Sequence, residues 1–279
     1  MSFRVLFSTL RTFKRTKEDP PRPEQVYGKL GDGGPHEMKA LRLWKVGGGD
    51  ESVRSICYYL DTPPPKGPPA VCDLELIDND VTPLGCEFLG KTLGLGGNPV
   101  IVKLVLDFNR FGTEGVEKLA IGLSQNRTLR SLSMQYCGIG PEGGAHIGTI
   151  LVYVWSKLEE LLLRGNELAA PGTKDILIMA KRAKALKRIS MAHNGIRDAG
   201  EVVEALVDLM KTRDNIAKYD FLANELSDED CRTIIHGAMG LNHLQELRIY
   251  ERIPETTMEA IASLVGGKKG KKGKKGRKK

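Results

Sequence analysis

The sequence predicts an α/β solenoid of about eight stacked strand–turn–helix units over residues 38–265. Three observations carry this. A pattern L-x-x-L-x-L-x-x-N-x-L recurs eight times, with start-to-start spacings of 33, 30, 28, 29, 28, 30 and 28 residues. A glycine stands fourteen residues after five of the starts, at Gly85, Gly115, Gly143, Gly172 and Gly200. Apolar residues then follow at helical spacing, as in Leu89 and Leu93, Leu119 and Leu123, Ile147 and Leu151. No unit of this length buries its apolar face alone, so neighbours must stack into a curved array.

The first unit starts at Met38, with Leu41 and Leu43, and has Val46 where other units have Asn. A helix is expected over about 52–60. The run Thr62-Pro-Pro-Pro-Lys-Gly-Pro-Pro69 then forbids helix continuation and reads as a stiff, extended loop between units, or as a recognition motif. Clear copies start at Val71 (Leu74, Leu76, Asn79), Ile101 (Leu104, Leu106, Asn109) and Leu158 (Leu161, Leu163, Asn166). Two more start at Leu186 (Ile189, Met191, Asn194) and Ile216 (Tyr219, Phe221, Asn224). The copy at Leu129 has Cys137 in the Asn position, and a degenerate last copy holds Leu244, Leu247 and Ile249, with Arg252 in the Asn position. Each Asn side chain is expected to hydrogen-bond the backbone of its own turn.

This pattern resembles the leucine-rich repeat family, specifically its ribonuclease-inhibitor-like subclass with 28- to 29-residue units. The resemblance covers about residues 38–265. It implies a horseshoe with parallel strands on the concave face, helices on the convex face and degenerate capping units at both ends.

Charge divides by segment. The chain carries 42 Lys and Arg against 35 Asp and Glu, net +7. Residues 266–279 hold nine positive charges and no negative one, and residues 1–37 hold seven basic and five acidic side chains. The body between them is therefore slightly acidic, with 26 basic and 30 acidic residues. Polyanion attraction belongs to the tail, not the solenoid. No apolar run approaches the ~20 residues of a membrane span. The five cysteines contain no CxxC pair, which argues against a disulfide framework or zinc site and for a reducing compartment. With 6% aromatics, no stacking platform for single-stranded nucleic acid is evident.

Candidate motifs are mostly absorbed by the repeat. Gly85-Cys-Glu-Phe-Leu-Gly90-Lys91-Thr92 fits the phosphate-binding pattern G-x-x-x-x-G-K-T, yet Gly85, Leu89 and Leu93 already belong to repeat columns. Asp78-Asn79-Asp80 lacks the glycine and late glutamate of a calcium loop. Asn126-Arg127-Thr128 is a glycosylation sequon with no sign of secretion beside it. The histidines show no metal spacing, and His193, just before the turn Asn194, is expected to pack structurally. Catalytic, cofactor-binding and metal residues are therefore assigned to none.

The predicted function lies on surfaces. Residues flanking the two central leucine positions of each strand should point to the concave face. The candidate partner-binding residues there are Trp44, Ile77, Asp107, Gln135, Leu162, Arg164, Leu222, Arg248 and Tyr250. Scattered apolar anchors among mixed charges suit a protein partner better than a polyanion, which would want a uniformly basic groove. Phe3, Phe7, Leu10 and Phe13 lie on an amphipathic stretch with basic residues and no acid before Glu18. It reads as a docking arm or a mitochondrial targeting signal, followed by a Pro-rich linker to residue 37. The tail residues Lys268, Lys269, Lys271, Lys272, Lys274, Lys275, Arg277, Lys278 and Lys279 are too charged to fold alone and suit an acidic surface.

Together these features predict a non-enzymatic scaffold in a large assembly. Short repeat proteins of this type with Lys/Gly-rich tails resemble components of the ciliary or flagellar axoneme, where the tail would meet acidic tubulin tails in the cytoskeleton. An RNA-associated nuclear or nucleolar factor, and a mitochondrial assembly factor imported through residues 1–17, stay open as alternatives.

Overall fold

The computed structural model describes residues 40–61, 71–94 and 100–249. Phe3, Phe7, Leu10 and Phe13 of the arm, the whole proline-rich run Thr62–Pro69, Tyr250 and the basic tail lie outside the described residues. Within them, strands and helices alternate: β1 (Ala40–Trp44), α1 (Gly49–Asp61), β2 (Asp73–Ile77), α2 (Pro83–Leu93), β3 (Lys103–Val105) and α3 (Gly112–Leu123). Then follow β4 (Ser131–Ser133), α4 (Gly143–Leu151), β5 (Glu160–Leu162), α5 (Ala169–Ala180), β6 (Arg188–Ser190), α6 (Gly200–Thr212), β7 (Lys218–Asp220), α7 (Asp228–Ala238) and β8 (Glu246–Arg248).

The strands form one parallel sheet in sequence order, β1 to β8. Its register follows the repeat: Leu41 pairs with Leu74, Leu74 with Leu104, Leu104 with Leu132, and so on through Leu161, Ile189, Tyr219 and Leu247. This column and the next, Leu43, Leu76, Leu106, Met134, Leu163, Met191, Phe221 and Ile249, are buried. They meet the inner faces of the helices, where Leu89, Leu93, Leu119, Leu123, Ile147 and Leu151 are also buried, in one continuous core.

The repeat asparagines do more than close their own turns. Asn109 Nδ2 donates to the Leu106 carbonyl of its own turn at 2.8 Å and to the Leu76 carbonyl of the preceding unit at 2.6 Å. Its Oδ1 accepts from the N–H groups of Asn79 at 2.9 Å and Val81 at 3.1 Å. Asn166, Asn194 and Asn224 repeat the scheme toward Cys137, Asn166 and Asn194. A ladder of buried amides therefore bolts each turn to the one before it. Cys137 fills its place partially: its thiol donates to the Leu106 carbonyl at 3.3 Å, but a thiol brings no amide oxygen for the N–H of Asn109.

Space explains the glycine column at Gly85, Gly115, Gly143 and Gly172, whereas a Cβ at Gly200 would meet nothing within 4 Å. A Cβ at Gly115 would lie 2.5 Å from Phe111 Cβ, and one at Gly143 would lie 2.1 Å from Ile139 Cγ2. At Gly85, Gly115 and Gly143 the first helical turn rides directly over the apolar residue that follows the turn, Val81, Phe111 or Ile139. Gly122 is tighter still: a Cβ there would meet the Gly90 carbonyl at 1.7 Å, so α2 and α3 pack backbone to backbone. Units also cap one another. Asp50 Oδ1 in α1 accepts from the N–H groups of Thr82 at 2.9 Å and Gly85 at 3.0 Å, at the start of α2.

Replacing Asn166 by Ala strands the buried Cys137 N–H and the Met134 carbonyl, each costing ~1–3 kcal/mol, while the Leu163 carbonyl keeps its bond from Asn194. Urea unfolding should show a loss of about 2 kcal/mol or more. Cys137→Asn should instead gain about 1 kcal/mol by completing the ladder; a loss for that variant would mean the site cannot hold an amide.

Candidate binding face

On the concave side the structure gathers polar side chains into three groups across neighbouring strands. At the first, Glu75 is only 5% exposed, yet it sits among strand residues that face outward. Its Oε1 accepts from Lys103 Nζ at 2.8 Å and lies 3.3 Å from Arg42 Nε, while Oε2 accepts from Trp44 Nε1 at 3.2 Å. Burial pushes this carboxyl up, but the hydrogen bonds and charge of Lys103, with Arg42 and Trp44, outweigh it and hold it below the usual carboxylate range. Trp44 itself stays 59% exposed, with its indole N–H tied down.

In the second group, Asp107 Oδ1 accepts from Ser133 Oγ at 2.6 Å and from the Gln135 N–H at 2.8 Å, and Oδ2 from Gln135 Nε2 at 2.9 Å. This corrects the expectation of an outward-facing Asp107: the carboxylate is buried and spent on its neighbours. The third group links Ser190, Asp220 and Arg248, whose guanidinium lies 3.7 Å from Asp220 and 3.6 Å from Glu246. Ile77, Leu162 and Leu222 are half-buried between these groups. Arg164 donates from Nε to the Tyr136 hydroxyl at 2.9 Å.

Sequence reasoning missed the row just beyond the strands. Lys45, Asp78, Phe108, Tyr136, Gly165, His193 and Ala223 each precede the ladder position, and all have positive φ. Glycine or asparagine would suit such a backbone; Phe108 and Tyr136 are costly there. Their rings stack in parallel with centroids 4.9 Å apart, and His193 lies 6.1 Å from Tyr136. Phe108 is 51% exposed. Gly165, at φ +72°, makes room: a Cβ there would come within 2.3 Å of the Tyr136 ring. His193 is thus an exposed member of this row rather than a packed residue. The signal lay in reading the column before the asparagines across units.

Because every helix connects consecutive parallel strands, all seven run in one sense and their N-termini share an edge. From strand end through the first helical turn, the seven connections 45–52, 78–86, 106–115, 134–146, 163–172, 191–203 and 221–231 hold fourteen acidic and four basic side chains. On the opposite edge, the connections 124–130, 152–159, 181–187, 213–217 and 239–245 hold eight basic and two acidic ones. There Lys187 and Arg130 flank Glu159 and hold its carboxyl below the usual range.

The other motifs are used structurally. All of Gly85–Thr92 lies inside α2, with Lys91 paired to Glu87 at 2.6 Å and Thr92 Oγ1 donating to Asp61 at 2.8 Å, so no phosphate-cradling loop exists there. The sequon residue Asn126 is buried and donates to the Leu93 carbonyl at 2.7 Å. Burial pushes the Cys57 thiol up to about 12 and Cys231 to about 11, and raises Cys86 and Cys137 as well, which leaves these four unreactive. Among the described residues no three His, Cys, Asp or Glu side chains are placed to hold a metal ion. No described helix is long and apolar enough to cross a membrane.

Eight aligned strands, an asparagine ladder and helices on one outer layer give the chain the architecture of a leucine-rich repeat solenoid. A family model described as Leucine Rich repeat matches residues 97–120 and 125–148. The chain is also similar to the ribonuclease inhibitor of Sus scrofa, 25% identical over 181 residues. That match covers 65% of this chain and 39% of the relative, so the chain spans about two-fifths of the length of the protein it resembles.

Two outcomes follow. Glu75 is ionised to lower pH in the folded than in the unfolded chain, so its stabilisation is present above an unfolded value of about 4.3 and is lost as pH falls through the lower folded one. In urea titrations run from about pH 5 down to about pH 3, the parent should lose stability more steeply than Glu75→Gln; equal slopes would show that the three donors do not favour the carboxylate. Lys91→Ala should change stability by no more than about 0.5 kcal/mol, since it removes one exposed helical pair. ATP should raise the melting temperature of neither protein; a rise in the parent that the variant lacks would restore the phosphate-binding reading.

Proposed function

We propose that this chain is a non-enzymatic scaffold of a large assembly. More specifically, we place it as a microtubule-associated component of the axoneme of cilia or flagella. Its concave face holds a protein neighbour, and Lys268–Lys279 contact an acidic surface of the tubulin-tail kind.

The observation that carries the protein-binding part is the concave face itself. Trp44 stands exposed with its indole N–H fixed by Glu75, and Ile77, Leu162 and Leu222 are half-buried among satisfied polar groups. Rigid aromatic and Arg anchors ringed by held polar groups are what a protein partner binds well. The face alternates in sign from Glu75 to Arg164 to Asp220, which a polyanion would not favour. Leucine-rich repeat proteins generally act by binding proteins, and the name of the porcine relative describes an inhibitor of an enzyme. The axonemal placement rests on the tail's nine positive charges and on resemblance to short repeat proteins with such tails.

Two measurements test the two parts separately. At low salt the full chain should co-sediment with microtubules, and deletion of residues 266–279 should lower that binding at least tenfold; an unchanged deletion variant rejects the tubulin assignment. For the concave face, Trp44→Ala combined with Leu222→Asp should abolish capture of the cellular neighbour without altering microtubule binding. Nuclease-sensitive co-purification would move the reading to RNA, and a processed N terminus on the cellular protein would move it to mitochondrial import.

A further inference from the structure

We infer that the aromatic rim formed by Phe108, Tyr136 and His193 is a docking platform for the chain's own Lys/Gly-rich segment, Lys268–Lys279. The inference rests on reading that segment as a ligand for acidic surfaces, but not on which outside surface it meets.

The platform has no structural reason to be aromatic. Phe108 and Tyr136 occupy left-handed backbone positions, where bulky side chains are strained relative to glycine. Phe108 recovers little of this by burial, being half exposed. Yet the two rings are ordered: they stack in parallel at 4.9 Å, Arg164 fixes the tyrosine hydroxyl, and Gly165 clears the space beneath the ring. The result is an exposed, pre-organised aromatic surface at the junction of the concave sheet and the edge that carries the helix N-termini.

Charge selects the occupant. That edge bears fourteen acidic and four basic side chains, net −10. The seven helix N-termini offset about half a charge each, roughly +3.5 in total, so capping of helix dipoles does not neutralise it. Around the platform itself, connections 78–86 through 163–172 hold six acidic and two basic side chains. A cationic segment fits this field, and Lys ammonium groups are attracted to the faces of aromatic rings. The opposite edge is basic and would repel it. Reach is sufficient: the eighteen residues 250–267 span at most about 60 Å. The rim at β3 lies five strand spacings from β8, about 24 Å.

The consequence is competition. When the segment lies on its own rim it is withheld from an outside acidic surface, and a partner seated on Phe108 and Tyr136 would release it.

Zero-length carbodiimide cross-linking of the full chain, read by mass spectrometry, tests this. Joined pairs should link Lys268–Lys279 to acids flanking the platform, such as Glu114 and Glu142, several-fold more often than to Glu159 or Asp214 on the basic edge. Those pairs should vanish at 0.5 M salt. Phe108→Asn suits the left-handed backbone, so it should leave the melting temperature unchanged or raised while lowering the platform pairs at least threefold. Tyr136→Ala gives a second reading of the same loss. Cross-links spread evenly over both edges, or unaffected by Phe108→Asn, overturn the proposal. Cross-links to Glu114 and Glu142 that persist while microtubule binding is absent would uphold it and reject only the tubulin assignment.

Discussion

A side-chain amide that bonds to the backbone of the preceding turn sets most of this structure. Parallel strands of three to five residues offer few ladder hydrogen bonds, and the turns beyond them keep only scattered backbone bonds to the next unit, such as Phe108 N–H to the Gln135 carbonyl, which leave other backbone groups unmatched. Asn79, Asn109, Asn166, Asn194 and Asn224 supply those partners from inside the core, each accepting and donating between two units. A unit can therefore neither slip in register nor change its turn without leaving buried N–H and C=O groups unmatched. The uniform left-handed residue before each ladder position is part of the same geometry. It turns the chain from strand to helix and leaves that residue's side chain on the rim. Constraint inside thus creates a row of display positions outside, and the chain uses several of them for Phe108, Tyr136 and His193.

The concave face is stiffened in a related way. Carboxylates whose strand position faces outward are turned sideways into neighbouring units. Glu75 reaches Arg42, Trp44 and Lys103; Asp107 reaches Ser133 and Gln135; Asp220 reaches Ser190 and Arg248. Each such bond crosses between strands, so the face is held before any partner arrives, and little side-chain freedom is left to lose on binding. Arg164 on Tyr136 belongs to the same set, linking the face to the rim.

Aligned helices polarise the molecule. Acidic residues at the shared N-terminal edge and basic ones at the other oppose the helix dipoles, but the side-chain charges exceed what the dipoles require. A slightly acidic body is therefore a body with one acidic and one basic edge. A basic tail attached to it has a surface on its own molecule that competes with any acidic surface outside, and the aromatic rim marks where along the edge that competition is centred.

The solenoid was legible in the sequence because its unit repeats. Eight copies in one register place leucines at 41, 74, 104, 132, 161 and 247 in one column, and parallel pairing of that column follows from packing identical faces. The spent character of Lys91 and Thr92 was also foreseeable, since repeat columns already claimed their neighbours. Asp107 was not, because strand alternation tells which way a Cβ points and not where a carboxylate with free donors nearby will turn. The glycine column could be counted but not explained, since only the approach of the first helical turn to Phe111 and Ile139 shows what a Cβ would strike. The stacked rim was hidden for the same reason: Phe108, Tyr136 and Gly165 are 28 and 29 residues apart in the chain. Sequence alone determined the period, and the period dictated the fold; tertiary structure alone decided which side chains of different units touch, because those contacts depend on distances between turns that no single unit contains.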